Sequence, residues 1–290
     1  MNIIRGDYSM KIDTHVHVTP PDVIKHYKKI GETEAYFNLL SSSPQNRFAT
    51  AQQVVAHMKE VNIDYSVVFG FSFQDMGLCQ YVNDYVMEAV KTYPSQLIGF
   101  ASVVPNHPKI EAEIERCYQG GLRGIGELFP AGQPFDIADP KHTNSFAKAC
   151  EYFKMPVIVH TNEPIGHDYV GKTETSLKDI EAFVHHHPEL KIVLAHWGGG
   201  LFFYELMKEV KAHFSNVYYD NAATIFLYDP KIYQVAKQLG IMDKLLFGSD
   251  YPLLSPVAYE KGLMSSGLTE EDLELLYSKN AMKLLKHIPL

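Results

Sequence analysis

The stretch KIDTHVHV, residues 11–18, combines the pattern of a buried strand with two histidines one residue apart. Side chains at positions i and i+2 of a strand point to the same side, so His15 and His17 share one face. Two imidazoles on one face can bind one metal ion. The pattern alone is weak, because 14 histidines in 290 residues produce about 0.7 such triplets by chance. The rest of the chain therefore decides what this stretch means.

Seven further apolar, β-branched or aromatic runs follow, and segments with helical spacing separate them. Most are continuous hydrophobic runs, as expected for strands buried on both faces. Eight strands that alternate with helices, with no linker between them, predict an α/β fold of one domain, the (β/α)₈ TIM barrel. A doubly wound open sheet is disfavoured, because no GxGxxG turn occurs. The predicted strands cover residues 11–18, 64–72, 96–105, 122–129, 156–161, 191–198, 216–223 and 244–252.

The barrel domain is predicted to span residues 11–290, after an N-terminal extension of residues 1–10. The longest connection, residues 19–50, is an insertion between the first strand and the first helix. Loops at the carboxyl ends of barrel strands build the active-site face, so this insertion is predicted to cap that face. A last helix is predicted after Thr269, a residue type that caps helix N-termini.

Composition excludes several classes of partner. The chain has 26 Lys and Arg against 34 Asp and Glu, and the basic residues are scattered, so nucleic acid and membrane are not expected partners. The three widely spaced cysteines fit neither a disulfide framework nor a CxxC motif. Arg5 and Asp7 lie where a signal peptide would be apolar. We therefore expect a cytoplasmic protein with a small-molecule substrate, and the sequence leaves a homo-oligomer open.

Four other predicted strands also end in side chains that can bind a metal. Imidazoles and carboxylates at the mouth of one barrel are costly to bury unless a cation neutralises and coordinates them. Each residue has a structural interpretation on its own, such as a hydrogen-bonded core histidine. Together, five such strand ends favour a metal site at the active-site face. The candidate ligands are His15, His17, Glu127, His160, His196 and Asp250.

Six motifs occur in order along the chain: DTHVH (13–17), GELFP (126–130), VIVHTNEPIGH (157–167), IVLAHWGG (192–199), LLFGSDYPL (245–253) and SKNAMKLL (278–285). Together they resemble the amidohydrolase superfamily, specifically its amidohydrolase-related branch. That branch also contains aminocarboxymuconate semialdehyde decarboxylase and related decarboxylases. The resemblance covers residues 11–287, and the fold of the superfamily is the barrel predicted above.

The resemblance implies that His15, His17, His160 and Asp250 are metal ligands. It implies that His196 is a second-metal ligand or an acid/base residue. Glu127 departs from the decarboxylase-like pattern, in which one metal is held without a ligand from the fourth strand. Some hydrolases of the superfamily, including TatD-like deoxyribonucleases, bridge two metals with a residue there. The ligand types suit Zn²⁺, as one ion or two, and also admit Mn²⁺, Fe²⁺ or Ni²⁺.

These residues predict a metal-dependent hydrolase that cleaves an amide, lactone or ester bond of a small molecule. A bound metal lowers the pKa of its water to about 7 and polarises a carbonyl group. Asp250 would accept the proton of that water, and His196 would position or protonate the substrate. The first alternative is a non-oxidative decarboxylase with the same ligands. The second is a barrel that binds a metal or another ligand without turnover.

The loop after the fifth strand contributes three predicted substrate contacts, His167, Tyr169 and Lys172, because such loops serve the active-site face. Trp197 is interpreted as packing or as a wall of the substrate pocket rather than as a catalytic group. The tract of residues 185–187, three histidines, ends a helix before the sixth strand. It is predicted to lie on the face opposite the site, and not to bind metal.

Overall fold

The computed structural model describes residues 10–286, in which alternating strands and helices form the predicted α/β barrel. The strands are buried on both faces, which explains their continuous apolar sequences. Residues 1–9, most of the predicted extension, lie outside the described residues, so the domain boundary stays a prediction. The strands are β1 (Ile12–His17), β2 (Tyr65–Phe69), β3 (Leu97–Gly99), β4 (Ile125–Leu128), β5 (Val157–Val159), β6 (Ile192–Leu194), β7 (Val217–Asp220) and β8 (Leu245–Leu246).

Helical segments connect successive strands. None of the helices between residues 10 and 286 is both long and apolar enough to cross a membrane. The segments are α1 (Pro21–Gly31), α2 (Ala35–Ser41), α3 (Ala51–Val61), α4 (Met76–Thr92), α5 (Ile110–Gln119), α6 (Pro140–Phe153), α7 (Leu177–His186), α8 (Ala195–Gly198), α9 (Lys208–His213), α10 (Thr224–Leu227), α11 (Ile232–Leu239), α12 (Val257–Ser265), α13 (Glu270–Glu274) and α14 (Asn280–Leu284).

The strands pair in parallel and in sequence order. β1, β2 and β3 form one sheet, and β4 to β8 form the other. Single parallel bridges link the two sheets, one between Ala101 and Ile125 and the other between Val16 and Tyr251. Because all strands run in the same direction, their carboxyl ends meet at one mouth, where barrel enzymes carry their active sites.

Two apolar clusters hold the barrel together. The larger cluster packs the strands against the helices. In β4, glycine leaves room for the neighbouring strand, because a Cβ on Gly126 would lie 2.8 Å from the Cβ of Ile158. A close-packed interior gives the strand ends a rigid support. The smaller cluster fills the interior with residues of the strands and of the positions directly after them, including Ile12, Val67, Phe69, Ile98, Phe100, Ile158, Val193, Ala195, Tyr218 and Leu246.

The strands are shorter than predicted at their carboxyl ends. After β6, His196 and Trp197 adopt left-handed backbone conformations with φ of 55° and 60°. After β8, Asp250 has φ of 63°. A strand cannot continue through such residues. His196 and Asp250 therefore lie in turns just beyond the paired residues, and His160 directly follows β5, with its backbone N–H still bonded to the carbonyl of Leu128.

Two predicted helices are interrupted. Thr269 caps the last helical region as predicted, since its hydroxyl accepts a hydrogen bond from the backbone N–H of Asp272 at 3.3 Å. A π-helical segment, Leu275–Lys279, then separates α13 from α14. The segment of helical spacing between the sixth and seventh predicted strands, residues 201–214, is also split, because Met207 has an extended backbone between the 3₁₀ turn Leu201–Leu206 and α9.

Residues 19–50 contain α1 and α2 and line a cavity at the carboxyl ends of the strands, the face that a cap is predicted to cover. The buried carboxylate of Glu34 accepts hydrogen bonds from the backbone N–H groups of Gln74 and Asp75 at 2.8 and 2.9 Å. These bonds fasten the cap to the loop that follows β2. Arg47 and Phe37 of the cap line the cavity.

Candidate active site

The two histidines of β1 face the barrel axis. Their rings lie 5.2 Å (His15) and 4.9 Å (His17) from the ring of Phe69, centroid to centroid, and Phe69 belongs to the interior cluster. Asp250 is joined to the same strand, because its backbone N–H donates to the carbonyl of His15 at 2.9 Å. Its Oδ1 lies 3.4 Å from His17 Nε2 and 3.7 Å from His15 Nε2.

His15, His17 and Asp250 form one group that fits a metal ion. Two ligands at the usual 2.0–2.2 Å from a tetrahedral ion lie roughly 3.4 Å apart, close to the separations found here. The Nε2 of His15 is buried and has no hydrogen-bond partner within residues 10–286. A buried polar atom without a partner is costly, and a cation at this point would satisfy it. Two imidazoles and a carboxylate suit Zn²⁺ and also Mn²⁺ or Fe²⁺.

Glu127 lies between two pairs of histidines. Its Oε2 is 3.8 Å from the Nε2 atoms of both His15 and His17, and its Oε1 is 3.5 Å from His196 Nε2. His15, Glu127 and His196 form a second candidate metal group. Both groups require the single lone pair on His15 Nε2, which binds only one ion. The described side chains therefore offer one complete group at a time.

His160 belongs to neither group. Its Nδ1 lies 3.0 Å from Glu127 Oε1, and its Nε2 lies 2.9 Å from the carbonyl oxygen of Gly171. Both ring nitrogens are therefore engaged by oxygen atoms of the protein. In this arrangement His160 orients Glu127 and contacts the loop after β5, and its predicted role as a metal ligand stays a prediction.

Mutual contacts shift the pKa values of the cluster. Burial lowers the pKa of His15, but the carboxylates of Asp220, Glu127 and Asp250 outweigh it and raise this pKa to about 10. Burial also opposes protonation of His196, yet its hydrogen bond to Glu127 raises its pKa to about 9. Burial would raise the pKa of Glu127, but the neighbouring imidazoles hold it well below its usual value. The carboxylate of Glu127 is thus ionised at neutral pH and available to a cation.

The cluster lines a cavity of about 610 Å³. Its only lysine or arginine among the described lining residues is Arg47. A cavity of this size with mainly apolar walls and a few polar groups has the character of small-molecule sites in general. The aromatic wall residues are Tyr36, Phe37, Phe71, Phe129, Tyr169 and Phe226, and the polar residues of the cap are Ser43, Gln45, Asn46 and Arg47.

The sequence model of the amidohydrolase family matches residues 12–286, nearly the whole chain. The chain belongs to the amidohydrolase family. This confirms the resemblance that the strand-end motifs indicate. No match is found among curated proteins.

Solved structures share the fold of this family member over almost their full lengths. 5-Carboxyvanillate decarboxylase from Sphingomonas paucimobilis has a TM-score of 0.78 and 16% identity, with 96% of this chain and 99% of that chain covered. A putative amidohydrolase from Staphylococcus aureus has a TM-score of 0.71 and 21% identity, with the same coverage. Dihydroxybenzoic acid decarboxylase from Polaromonas sp. JS666, with bound manganese and 2-nitroresorcinol, has a TM-score of 0.72, 16% identity and coverage of 97% and 98%.

Two of the three predicted substrate contacts line the cavity, and the third does not. His167 and Tyr169 line the cavity. Lys172 is not among the lining residues, and its ammonium group donates to the carbonyls of residues 165, 166 and 167 at 3.0–3.2 Å. Lys172 therefore links two parts of the same loop. The sequence could not indicate this, because the turn brings three carbonyls within reach of one side chain.

Trp197 is fully buried and lies outside the cavity lining. Its indole N–H donates to Thr224 Oγ1 at 2.8 Å, and its ring lies 5.3 Å from the rings of Phe202 and Tyr233. The left-handed turn at His196 and Trp197 sends the tryptophan into the layer between strands and helices, while His196 faces the cavity. Of the two interpretations of Trp197, the structure supports packing.

The histidine tract lies where α7 ends and the chain enters β6, at the amino end of that strand. None of its members belongs to a candidate metal group of the described residues. His185 and His186 are exposed, but His187 is buried, with its Nε2 2.9 Å from Thr143 Oγ1. The tract is therefore separate from the active-site face, and His187 has a structural role.

We expect His187 to make stability depend on pH. Burial lowers its pKa from 6.5 to about 4, so between these values protons bind the unfolded chain more readily than the folded one. Its contribution is complete above pH 6.5 and is lost as the pH falls towards 4. Over this interval the free energy of unfolding should fall by about 1 kcal/mol more in the wild type than in His187→Gln. Urea unfolding measures this difference, and equal pH dependence of the two proteins would contradict it.

Sequence reasoning missed Asp220 at the end of β7. It is fully buried, its Oδ2 lies 2.9 Å from His15 Nδ1, and its Oδ1 accepts the backbone N–H of His196 at 2.8 Å. The sequence did carry a signal for Asp220, because this carboxylate ends the seventh strand in the same way that Asp250 follows the eighth. Arg47 was also missed, since its place at the cavity depends on how the cap folds.

Proposed function

We propose that this chain is a metal-dependent, non-oxidative decarboxylase of a small aromatic carboxylic acid. The observation that carries the proposal is the cavity, in which aromatic walls surround a group of ligands for one ion and the cap adds one guanidinium. Decarboxylases of aromatic acids among the structural relatives favour the same chemistry. The sequence favoured a hydrolase, and that function becomes the second candidate.

The cavity supplies what an aromatic acid needs for binding. Its aromatic walls provide stacking and edge contacts for a planar ring. His15, His17 and Asp250 would hold Mn²⁺ or Zn²⁺ at the barrel mouth. When bound, this cation would neutralise and orient the substrate carboxylate. Arg47 offers a planar pair of donors to a further acidic substituent on the ring.

His196 is the proton donor in this proposal. Its ring lines the cavity, and the Glu127 carboxylate at 3.5 Å favours its protonated form. The proton passes from His196 to the ring carbon that carries the carboxylate. The bond between that carbon and the carboxylate then breaks, its electron pair returns to the ring, and carbon dioxide leaves. Each turnover thus consumes one proton, which His196 regains from solvent.

The test is product analysis with Mn²⁺-loaded and Zn²⁺-loaded protein and a panel of hydroxybenzoic acids. We expect one carbon dioxide per product molecule and, in D₂O, one deuterium at the carbon that lost its carboxylate. Amides, lactones and esters are assayed in parallel. Hydrolysis of any of these without release of carbon dioxide would contradict the proposal, and so would a complete lack of turnover.

Hydrolysis is the second candidate, because one observation favours it. The two oxygens of Glu127 face different histidine pairs, the arrangement in which a carboxylate can bridge two cations. A two-ion site would suit attack by an activated water. The number of ions per chain therefore separates the two candidates.

Arg47 is predicted to determine affinity for an acidic substrate. Its Nη1 is anchored to the carbonyls of Pro44 and Asn46 at 2.9 and 2.7 Å, which fixes the guanidinium at the cavity. Arg47→Met should raise KM about 10- to 100-fold, the effect of losing one charge-assisted hydrogen bond. It should leave kcat within about threefold, because the contact exists before and during the reaction.

Steady-state kinetics measures both constants, with whichever hydroxybenzoic acid of the panel is turned over as the substrate. The control is Lys148→Met, which removes a cation from the exposed side of α6. An unchanged KM, or a fall in kcat as large as the rise in KM, would contradict this role of Arg47.

A further inference from the structure

We propose that Asp220 is a positioning residue that fixes His15 as a metal ligand through Nε2. The inference rests on the metal site of the proposed function and goes beyond it by assigning the tautomer of its central ligand. Asp220 ends β7 and does not line the cavity. It therefore acts through other residues and not on the substrate.

The contacts of Asp220 determine which nitrogen of His15 carries a proton. A carboxylate only accepts hydrogen bonds, so the 2.9 Å contact with Asp220 Oδ2 places a proton on His15 Nδ1. In the neutral ring the free lone pair is then on Nε2, the atom that faces Asp250 and Glu127 at 3.7 and 3.8 Å. The same Nε2 is the buried atom without a hydrogen-bond partner among the described residues.

The other oxygen of Asp220 holds the turn after β6. Oδ1 accepts the backbone N–H of His196 at 2.8 Å and that of Ala222 at 3.0 Å. His196 has φ of 55°, a left-handed conformation that costs free energy in a residue other than glycine and needs support from its surroundings. One buried carboxylate thus orients both a metal ligand and the turn that presents the proposed proton donor.

This division of contacts makes asparagine an informative replacement. Its carbonyl oxygen can keep both backbone hydrogen bonds, while its NH₂ group takes the place of Oδ2 beside His15. An NH₂ group donates, so it requires His15 Nδ1 to be unprotonated and moves the proton to Nε2. Nε2 can then no longer bind an ion. Asp220→Asn therefore changes the tautomer while the turn at His196 is retained.

The experiment compares wild type, Asp220→Asn and the control Glu205→Gln. Glu205 is a buried carboxylate that bonds Tyr219 and Lys244, away from the metal group. Affinity for Zn²⁺ is measured by competition with a chromophoric chelator, and ¹⁵N spectra of zinc-loaded protein report the protonation of each histidine nitrogen. We expect Asp220→Asn to bind Zn²⁺ about 10- to 100-fold more weakly, the usual effect of removing such a partner of a ligand histidine.

In the wild type His15 should show a protonated Nδ1 and a zinc-bound Nε2, and Glu205→Gln should bind Zn²⁺ like the wild type. Binding by Asp220→Asn within twofold of the wild type would overturn the inference. If this variant does not fold, the wild-type spectrum decides, and zinc bound through Nδ1 of His15 would overturn it. A wild type that binds neither Zn²⁺ nor Mn²⁺ would overturn the proposed function and this inference with it.

Discussion

Asp250→Asn is expected to lower kcat/KM by about 10³-fold, roughly 4 kcal/mol in the transition state, and to remove most of the bound metal. Hydrogen bonding to His17 and the charges of His15 and His196 hold the pKa of Asp250 below its usual value despite burial. The side chain is therefore ionised at neutral pH, and the amide removes a full charge from the metal group. His15 and His17 would then have no carboxylate beside them to complete the metal group.

Asparagine is the right replacement at this position. Asp250 has φ of 63°, and asparagine tolerates the left-handed region better than alanine. Its backbone N–H can still donate to the carbonyl of His15, so the hydrogen bond between β1 and the turn after β8 should be kept. Elemental analysis after dialysis, kinetics and urea unfolding measure the three effects.

Asp243→Asn is the matched control, because it makes the same chemical change on an exposed carboxylate that lies 4.0 Å from Lys283. It should keep both metal and activity. An Asp250→Asn protein that retained its metal content and activity within about threefold would show that Asp250 is not a ligand.

The sequence predicted the features that depend on local geometry. The i and i+2 spacing placed His15 and His17 on one face, and both rings do lie against Phe69. The carboxyl ends of parallel strands meet at one end of the barrel, so Asp250 and Glu127 were predicted to lie close together there. These relations follow from strand geometry, whatever the loops do.

The sequence could not predict the features that depend on side-chain rotamers and loop closure. His160 directly follows β5 near the predicted position, yet its ring is held by Glu127 and Gly171, and His160 belongs to neither candidate metal group. Lys172 lies in the predicted loop, but its ammonium group donates to backbone carbonyls of that loop and does not line the cavity. Asp220 satisfied the strand-end rule and was overlooked, because a carboxylate that supports a ligand and one that binds a metal have the same sequence signature.

Glu127→Gln is expected to leave one ion per chain, as in the wild type, and to lower kcat about 10²- to 10³-fold. The ion count should not change, because the two candidate metal groups share His15 Nε2 and the first group contains no atom of Glu127. The rate should fall because Glu127 contacts His160 at 3.0 Å and His196 at 3.5 Å. A neutral amide cannot hold the His196 imidazole in its charged form as well as a carboxylate does.

The pH dependence of kcat provides a second measurement. The hydrogen bond to Glu127 raises the pKa of His196 to about 9, so the wild type should lose activity at high pH as His196 gives up its proton. Without the carboxylate that pKa falls, and the loss of activity should begin at a lower pH in Glu127→Gln. Glu205→Gln, which neutralises a buried carboxylate outside the site, should leave the profile unchanged.

Elemental analysis of wild type and Glu127→Gln decides between the two candidate functions. One ion in both proteins, with a slower variant, fits a carboxylate that serves the proton donor of a decarboxylase. Two ions in the wild type and one in the variant would show that Glu127 bridges them. That result would contradict the single-ion site and favour a hydrolase, since two adjacent cations activate a water between them.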